Sequence, residues 1–374
     1  MGKSRRSQNS DNFRISADAP LANLGDYIWR ATHPDPDTDT DPDRVRTGRI
    51  GDGVPLLRRH RSNRILLYNG CFNPPHRGHL AHLQHAFRYA GEDLGVVAAI
   101  VLVADDTYVR WKLWGQSKNK NTNSSSSDAL LLPVSQRIRL WEDGLADAGE
   151  PARWCWVLPE NDWLRVSGKL ELLFQRDKFD VEFVRLAGGD KASVQWVQHG
   201  AWGCRTTVTT DVSRPVDFYQ DDSTSPVLLP NHTPWVKKCS SKETLDRHRT
   251  VETTPNQPAT PVGRRDVWEC ERAGRAQRRN ILRFISSAKD ERLDPDLSST
   301  KLRSIIADCA DHPLQELEDE LRAIALSPCL LAEFIIEKDK QERRAKPRVR
   351  LSSTHVSERF GDLWRAVVLM LRQS

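Results

Sequence analysis

Gly70-Cys71-Phe72-Asn73-Pro74-Pro75-His76-Arg77-Gly78-His79 separates a short apolar run, Ile65-Leu66-Leu67-Tyr68, from a stretch between Leu80 and Tyr89 with helical spacing. The run suits a buried strand and the stretch a helix, so the segment between them is a strand-to-helix turn. Gly70 permits positive φ and close approach of a ligand, while Pro74 and Pro75 fix φ and hold the loop apart from both neighbours. Gly78 removes a side chain at the helix start. His76 and His79 then lie at a helix N-terminus, where unpaired N–H groups and the macrodipole favour an anion. Two imidazoles there can donate hydrogen bonds to a phosphoryl group as charge builds up on its oxygens.

Two further segments belong with this turn. In the first, Ile281 to Ile285 reads as a strand, Asp294-Pro295-Asp296 as a turn and Lys301 to Cys309 as a helix. Hydroxyls at Ser299 and Thr300 cap that helix and can bind phosphate oxygens, and Arg303, one turn in, adds a fork-shaped cation. In the second, Val181 to Ala187 reads as a strand ending at Gly188-Gly189-Asp190. Ligands of open α/β sheets bind at such carboxyl ends. Small residues there let a ligand approach the backbone at Gly188, and Asp190 is a candidate to bond a ribose or to orient a metal-bound water.

Around these segments the pattern alternates. Strand, helix and strand follow one another at Ile65 to Tyr68, Leu80 to Tyr89 and Val96 to Ala104, the signature of a right-handed βαβ unit. A helix from Pro133 to Ala146, a strand from Trp154 to Leu158 and a helix from Trp163 to Phe174 continue it. The expected fold is α/β, a Rossmann-like open parallel sheet with helices on both faces. Residues 1–60, where Asp35, Asp37, Asp39, Asp41 and Asp43 alternate with Pro and Thr, read as a disordered tail, since they bury too little apolar surface to offset chain entropy. The acidic alternation lacks the glycine and distal glutamate of a calcium loop. The domain is expected over residues 61–338, with flexible inserts at 117–128 and 220–264. Leu314 to Leu326 and Leu330 to Ile336 read as amphipathic helices that close it. Residues 339–374 read as a basic linker and a C-terminal helix, whose apolar face either packs on the domain or joins copies into a homo-oligomer.

Composition narrows the function classes. A net charge of +5 over 374 residues is too mild to call for nucleic acid, and a phosphate-rich substrate explains it equally well. Seven scattered cysteines form no C-x-x-C pair, which favours a reduced compartment without a disulfide framework or zinc site. The best apolar run, Val96 to Ala104, is of strand length, so no membrane span is expected. Without the apolar core of a secretion signal, and with Lys3, Arg5 and Arg6 as a candidate import signal, the expected location is intracellular, in cytoplasm or nucleus.

The turn at Gly70 to His79 resembles the G-x-F-x-P-x-H-x-G-H signature of the nucleotidylyltransferase superfamily, and Ser298-Ser299-Thr300-Lys301-Leu302-Arg303 resembles its S-S-T-x-x-R motif. The second Ser-Ser-Thr, at Ser352 to Thr354, lacks the arginine. The resemblance is greatest to nicotinamide and nicotinate mononucleotide adenylyltransferases, which implies AMP transfer from ATP, a magnesium cofactor and a place in NAD biosynthesis. It implies catalytic roles for His76, His79 and Arg303. Nucleotide binding then falls to Gly70, Cys71, Phe72, Gly78, Gly188, Asp190, Ser299 and Thr300. It further implies that Trp111 and Lys112 hold the acceptor and that Trp163 stacks on its ring. Cys71 departs from the usual Ser or Thr. Three alternatives remain: a cytidylyltransferase or another adenylyltransferase with a different phospho-acceptor, a non-catalytic binding module on the same fold, and a class I aminoacyl-tRNA synthetase. The last shares His76-x-Gly78-His79, but the chain has no K-M-S-K-S-like loop.

Overall fold

A computed structural model describes residues 21–33, 55–90, 93–118, 130–191, 201–220, 225–238, 265–272, 280–309 and 312–345. The chain divides into a unit ending at Ala332 and a second beginning at Glu333. The first unit contains an eight-stranded sheet in the order β5-β4-β3-β6-β7-β10-β9-β8. Its strands are β3 (Asn63–Gly70), β4 (Val96–Val103), β5 (Cys155–Pro159), β6 (Val181–Leu186), β7 (Thr206–Thr210), β8 (Val236–Lys238), β9 (Val267–Glu271) and β10 (Ile281–Ile285). From β5 to β10 every neighbouring pair is parallel, whereas β9 and β8 add an antiparallel edge. The expected α/β class with a mainly parallel sheet is borne out.

Both faces of the sheet are covered, which is why Ile65, Leu66 and Leu67 of β3 are consecutive apolar residues and all fully buried. Leu66 and Tyr68 point to one side, toward α2 (Arg77–Tyr89) and α4 (Val134–Ala148); Ile65 and Leu67 point to the other, toward α1 (Leu24–Thr32) and α5 (Trp163–Arg176). The chain winds from β3 through β4 to β5 on one side, then returns to β6, β7 and β10 on the other. The switch lies between β3 and β6, and an open α/β sheet forms its ligand crevice at the carboxyl ends of strands at such a point.

Several boundaries differ from expectation. Residues 21–33 and 55–58, placed by composition in an unfolded tail, form β1 (Leu21–Asn23), α1 and β2 (Leu56–Arg58). The reason is local: Leu24, Tyr27, Ile28 and Ala31 make an apolar stripe that packs on α5, and the Tyr27 hydroxyl donates to Asp177 at 2.8 Å. Residues 1–20 and 34–54, including Lys3, Arg5 and Arg6, lie outside the described residues. Helix α3 (Asp106–Lys118) runs into the expected insert at 117–128, whose remainder is also outside them. In the 220–264 insert, Leu229 and Trp235 pack near Phe218 and Phe284 and lead into β8, so part of it belongs to the sheet edge. Strand β7 was missed because Thr206 to Thr210 has little apolar content; its threonines are buried by position in the sheet. The closing helices are α6 (Ser299–Asp308), α7 (Leu314–Leu321) and α8 (Pro328–Ala345), and α8 extends past residue 338. The C-terminal helix expected beyond the basic linker lies outside the described residues.

Candidate active site

The Gly70 to His79 loop leaves β3 at the switch point and is held from three directions. Arg137 of α4, fully buried, donates from Nη1 to the Cys71 carbonyl at 2.6 Å, from Nε to the Leu132 carbonyl at 2.9 Å and from Nη2 to Asp106 at 2.6 Å. Asn73, itself buried, donates to the Leu130 carbonyl at 2.7 Å and accepts from the Leu132 N–H at 2.9 Å. On the far side the Arg77 N–H donates to the Ile324 carbonyl at 2.9 Å, and His76 forms a β-bridge with Ala325. The third direction is α6. Ser299 donates its hydroxyl to the Pro74 carbonyl at 2.8 Å, and Arg303 donates from Nη1 to the Asn73 carbonyl at 2.7 Å. Two motifs more than two hundred residues apart therefore meet directly.

Glycines and hydroxyls have partly different reasons from those expected. Phe72 adopts a left-handed φ of 45° and turns back so that a Cβ at Gly70 would lie 2.8 Å from its ring. Gly70 is thus required by Phe72, which packs edge-on against Tyr68, His79 and Trp141 with centroids 5.2, 4.9 and 5.1 Å away. Gly70→Ala is expected to destabilise the fold by about 1–3 kcal/mol through overpacking, read from urea denaturation. At Gly78 a Cβ would meet the His76 ring at 3.0 Å, so this glycine leaves room for the imidazole. The cap of α6 is Ser298, whose Oγ accepts from the Lys301 N–H at 3.1 Å, rather than Ser299 or Thr300. Ser299 reaches across to the loop, and Thr300 accepts from Arg303 Nη2 at 3.0 Å.

His76 and His79 stack with ring centroids 3.6 Å apart. His79 Nδ1 accepts the His76 backbone N–H at 3.1 Å, so in the neutral ring the proton sits on Nε2, which is left as a donor. His76 Nδ1 is buried without a hydrogen-bond partner among the described residues and lies beside Gly78 at the first turn of α2. Burial, helped by the charge of Arg214, lowers the His76 pKa to about 3. Burial first, then the charges of His76, Arg214, His82 and Lys112, holds His79 well below its ordinary value, although the residue is only half-buried.

These influences also locate the cations. Arg214, in the turn after β7, bears on both histidines and on Tyr68; Lys112 of α3 bears on His79 and on Lys191, which follows Asp190 after β6. None of the three side chains has a hydrogen bond or ion pair among the described residues. Asp190 is the carboxylate that bears on Lys191 and Tyr68, so the three cations leave an excess of positive charge at the carboxyl end of the sheet, which is suited to a polyphosphate. Arg214 and Arg137 escaped sequence reasoning. An Arg-Pro pair after a threonine-rich stretch has no distinctive pattern, and Arg137 looks like an ordinary helix-surface residue until the loop is placed over it. Gly188 is tight against its own turn, where a Cβ would lie 2.9 Å from Asp190 Oδ1, and Asp190 is exposed. Cys71 is half-buried and contributes its carbonyl.

The two tryptophans part company. Trp111 is 51% exposed on α3, with Tyr108 at 5.9 Å and Lys112 next to it. Trp163 is 1% exposed and packs edge-on against Phe183 in the core on the face away from α2. It opens the buried stripe Trp163, Val166, Leu170 and Phe174 of α5, so its ring is taken up by packing and is not offered to a ligand.

Residues 67–112 match the cytidylyltransferase-like family, from within β3 through the histidine loop to Lys112. The chain therefore carries a cytidylyltransferase-like segment of the nucleotidylyltransferase superfamily on a Rossmann-like sheet, which supports nucleotidyl transfer in general. A comparison with curated proteins found no match. No helix among the described residues is long and apolar enough to cross a membrane.

Neutral buried histidines make stability depend on pH. His76 and His82 resist protonation down to about 3 and about 4, against 6.5 for the ordinary side chain. Within that window the unfolded chain binds more protons than the folded one, so stability falls as pH drops below the ordinary value. Each such ring costs about 2 kcal/mol at about pH 5 relative to neutral pH. Urea midpoints at the two pH values check this, and equal midpoints would mean that the rings are hydrated and charge freely.

Proposed function

We propose that this chain is a nucleotidyltransferase that moves AMP from ATP to the phosphate of nicotinamide mononucleotide or its acid form, releasing pyrophosphate. One observation carries the reading: the two motifs are joined by Arg303 to Asn73 and Ser299 to Pro74 around a neutral histidine pair on which Arg214 bears, and Lys112 bears on His79 and on Lys191. The triphosphate lies over the start of α2. His79 Nε2–H and His76 donate to oxygens of the α- and β-phosphates, and the cations offset the charge that grows there during in-line attack by the acceptor phosphate. No covalent enzyme intermediate is needed. Asp190 and the phosphates would supply the few oxygens that a magnesium ion entering with the nucleotide requires, and the ion's chemistry is charge neutralisation. Trp111, exposed beside Lys112, is the aromatic available for the acceptor ring, with the lysine on its phosphate.

A cytidylyltransferase acting on a phospho-alcohol is favoured by the name of the matching family and shares the same histidines. Screening ATP and CTP against mononucleotide and phospho-alcohol acceptors, with pyrophosphate release as the readout, separates the two. Turnover with ATP and nicotinamide mononucleotide is expected; turnover only with CTP moves the assignment to the second reading. Release with no pair, combined with the lack of a thermal shift on adding nucleotide, would defeat both.

A further inference from the structure

A histidine recurs at every third residue, at the N-cap of α2 (His76) and within it (His79, His82 and His85), and His76, His82 and His85 are buried. His82 is 1% exposed and has no part in the transfer chemistry above. Its Nε2 lies 3.0 Å from the Ala187 carbonyl oxygen, an atom that only accepts, so Nε2 carries the proton and donates it. Nδ1 is then a bare acceptor, and the Thr210 hydroxyl donates to it at 2.8 Å. Burial lowers the His82 pKa to about 4, which preserves this neutral, directional pattern.

Both partners are strand ends that lead into the cation-bearing turns. Ala187 follows β6 and precedes Gly188 to Lys191; Thr210 ends β7 and precedes Asp211 to Arg214. The outer side of the second turn is anchored separately, since Asp211 accepts from the Ser287 N–H and hydroxyl, both at 2.7 Å, and Val212 accepts from the Leu293 N–H at 2.8 Å. His82 is therefore the hydrogen-bonded link between those turns and the helix that carries His79 one turn earlier. An apolar residue could fill the same space, but dispersion contacts tolerate small slides that two directed hydrogen bonds do not.

We propose that His82 is a positioning residue for the polyphosphate of the donor nucleotide, fixing Lys191 and Arg214 against His79 through its bonds to Ala187 and Thr210. The inference rests on the nucleotidyl-transfer reading for its ligand. Its test compares wild type, His82→Leu, His82→Gln and Thr210→Val by calorimetric binding of inorganic tripolyphosphate and by kcat and KM for pyrophosphate release. The glutamine amide nitrogen can occupy the place of Nε2 and restore the bond to Ala187. His82→Leu is expected to weaken tripolyphosphate binding about tenfold and to lower kcat more than it raises KM, because sub-ångström misplacement acts on the transition state. His82→Gln recovers most of both, and Thr210→Val falls between. Unchanged tripolyphosphate binding in His82→Leu, or equal impairment of the glutamine and leucine variants, overturns the proposal. Should the leucine variant fail to fold, wild-type tripolyphosphate binding in Thr210→Val overturns it instead. If the binding series behaves as expected but wild type releases no pyrophosphate from any pair, the transfer reading fails and the positioning role stands.

Discussion

His79→Ala lowers turnover by about a hundredfold or more, the usual loss when one preorganised donor to a developing oxyanion is removed. The ring's Nε2–H is the lost donor, because its Nδ1 is already engaged by the His76 backbone N–H. That engagement also makes the variant structurally informative. Alanine removes the reciprocal bond at the start of α2 and is expected to cost about 1 kcal/mol of stability, as for loss of a helix cap. Glutamine at the same position can keep the bond to the His76 N–H while misplacing the donor. His79→Gln is thus expected to melt close to wild type and still lose most of its turnover. Steady-state kinetics of both variants, with thermal unfolding on the same samples, check this; turnover equal to wild type in either variant would remove His79 from the chemistry.

Arg137→Leu has the largest expected effect on stability. The guanidinium is fully buried and makes hydrogen bonds to the Cys71 and Leu132 carbonyls and to Asp106. Leucine supplies apolar volume but leaves two carbonyls without their donor, and each unsatisfied buried polar group costs about 1–3 kcal/mol. Asp106 keeps about a third of its side-chain surface exposed, so water relieves part of its charge and the loss stays below that of a sealed ion pair. A destabilisation of about 3 kcal/mol is expected from urea denaturation. Nucleotide binding should weaken with it, since the Cys71 carbonyl anchors the loop leading to His76. A variant as stable as wild type would mean that the loop is held by Asn73, α6 and the Ile324–Ala325 segment without Arg137.

Much of the sheet was legible because its strands are chemically emphatic. Ile65 to Tyr68 and Val96 to Ala104 are apolar runs that only burial on both faces explains, and the glycine, proline and histidine between them admit few readings. Thr206 to Thr210 was not legible, since a threonine strand is recognised by its neighbours in the sheet. Trp163 shows the opposite failure. A conspicuous aromatic at a strand end reads as a ligand platform, yet the apolar spacing of α5 directs it into the core. The tail was misjudged between residues 21 and 33, where a four-residue apolar stripe outweighs the polar composition around it.

Sequence by itself determined the α/β class, the strand-to-helix turn at Gly70 to His79 and a helix beginning just after the Ser-Ser-Thr run, because local propensity and burial pattern act within a few residues. Only the tertiary structure decided that Ser299 and Arg303 brace Pro74 and Asn73, that Arg137 lies beneath Cys71, and that Arg214 and Lys112 bear on the histidines with Lys191 near Lys112. Those groups come from separate strand ends and helices, and the order in which the strands pair, rather than distance along the chain, brings them to one crevice.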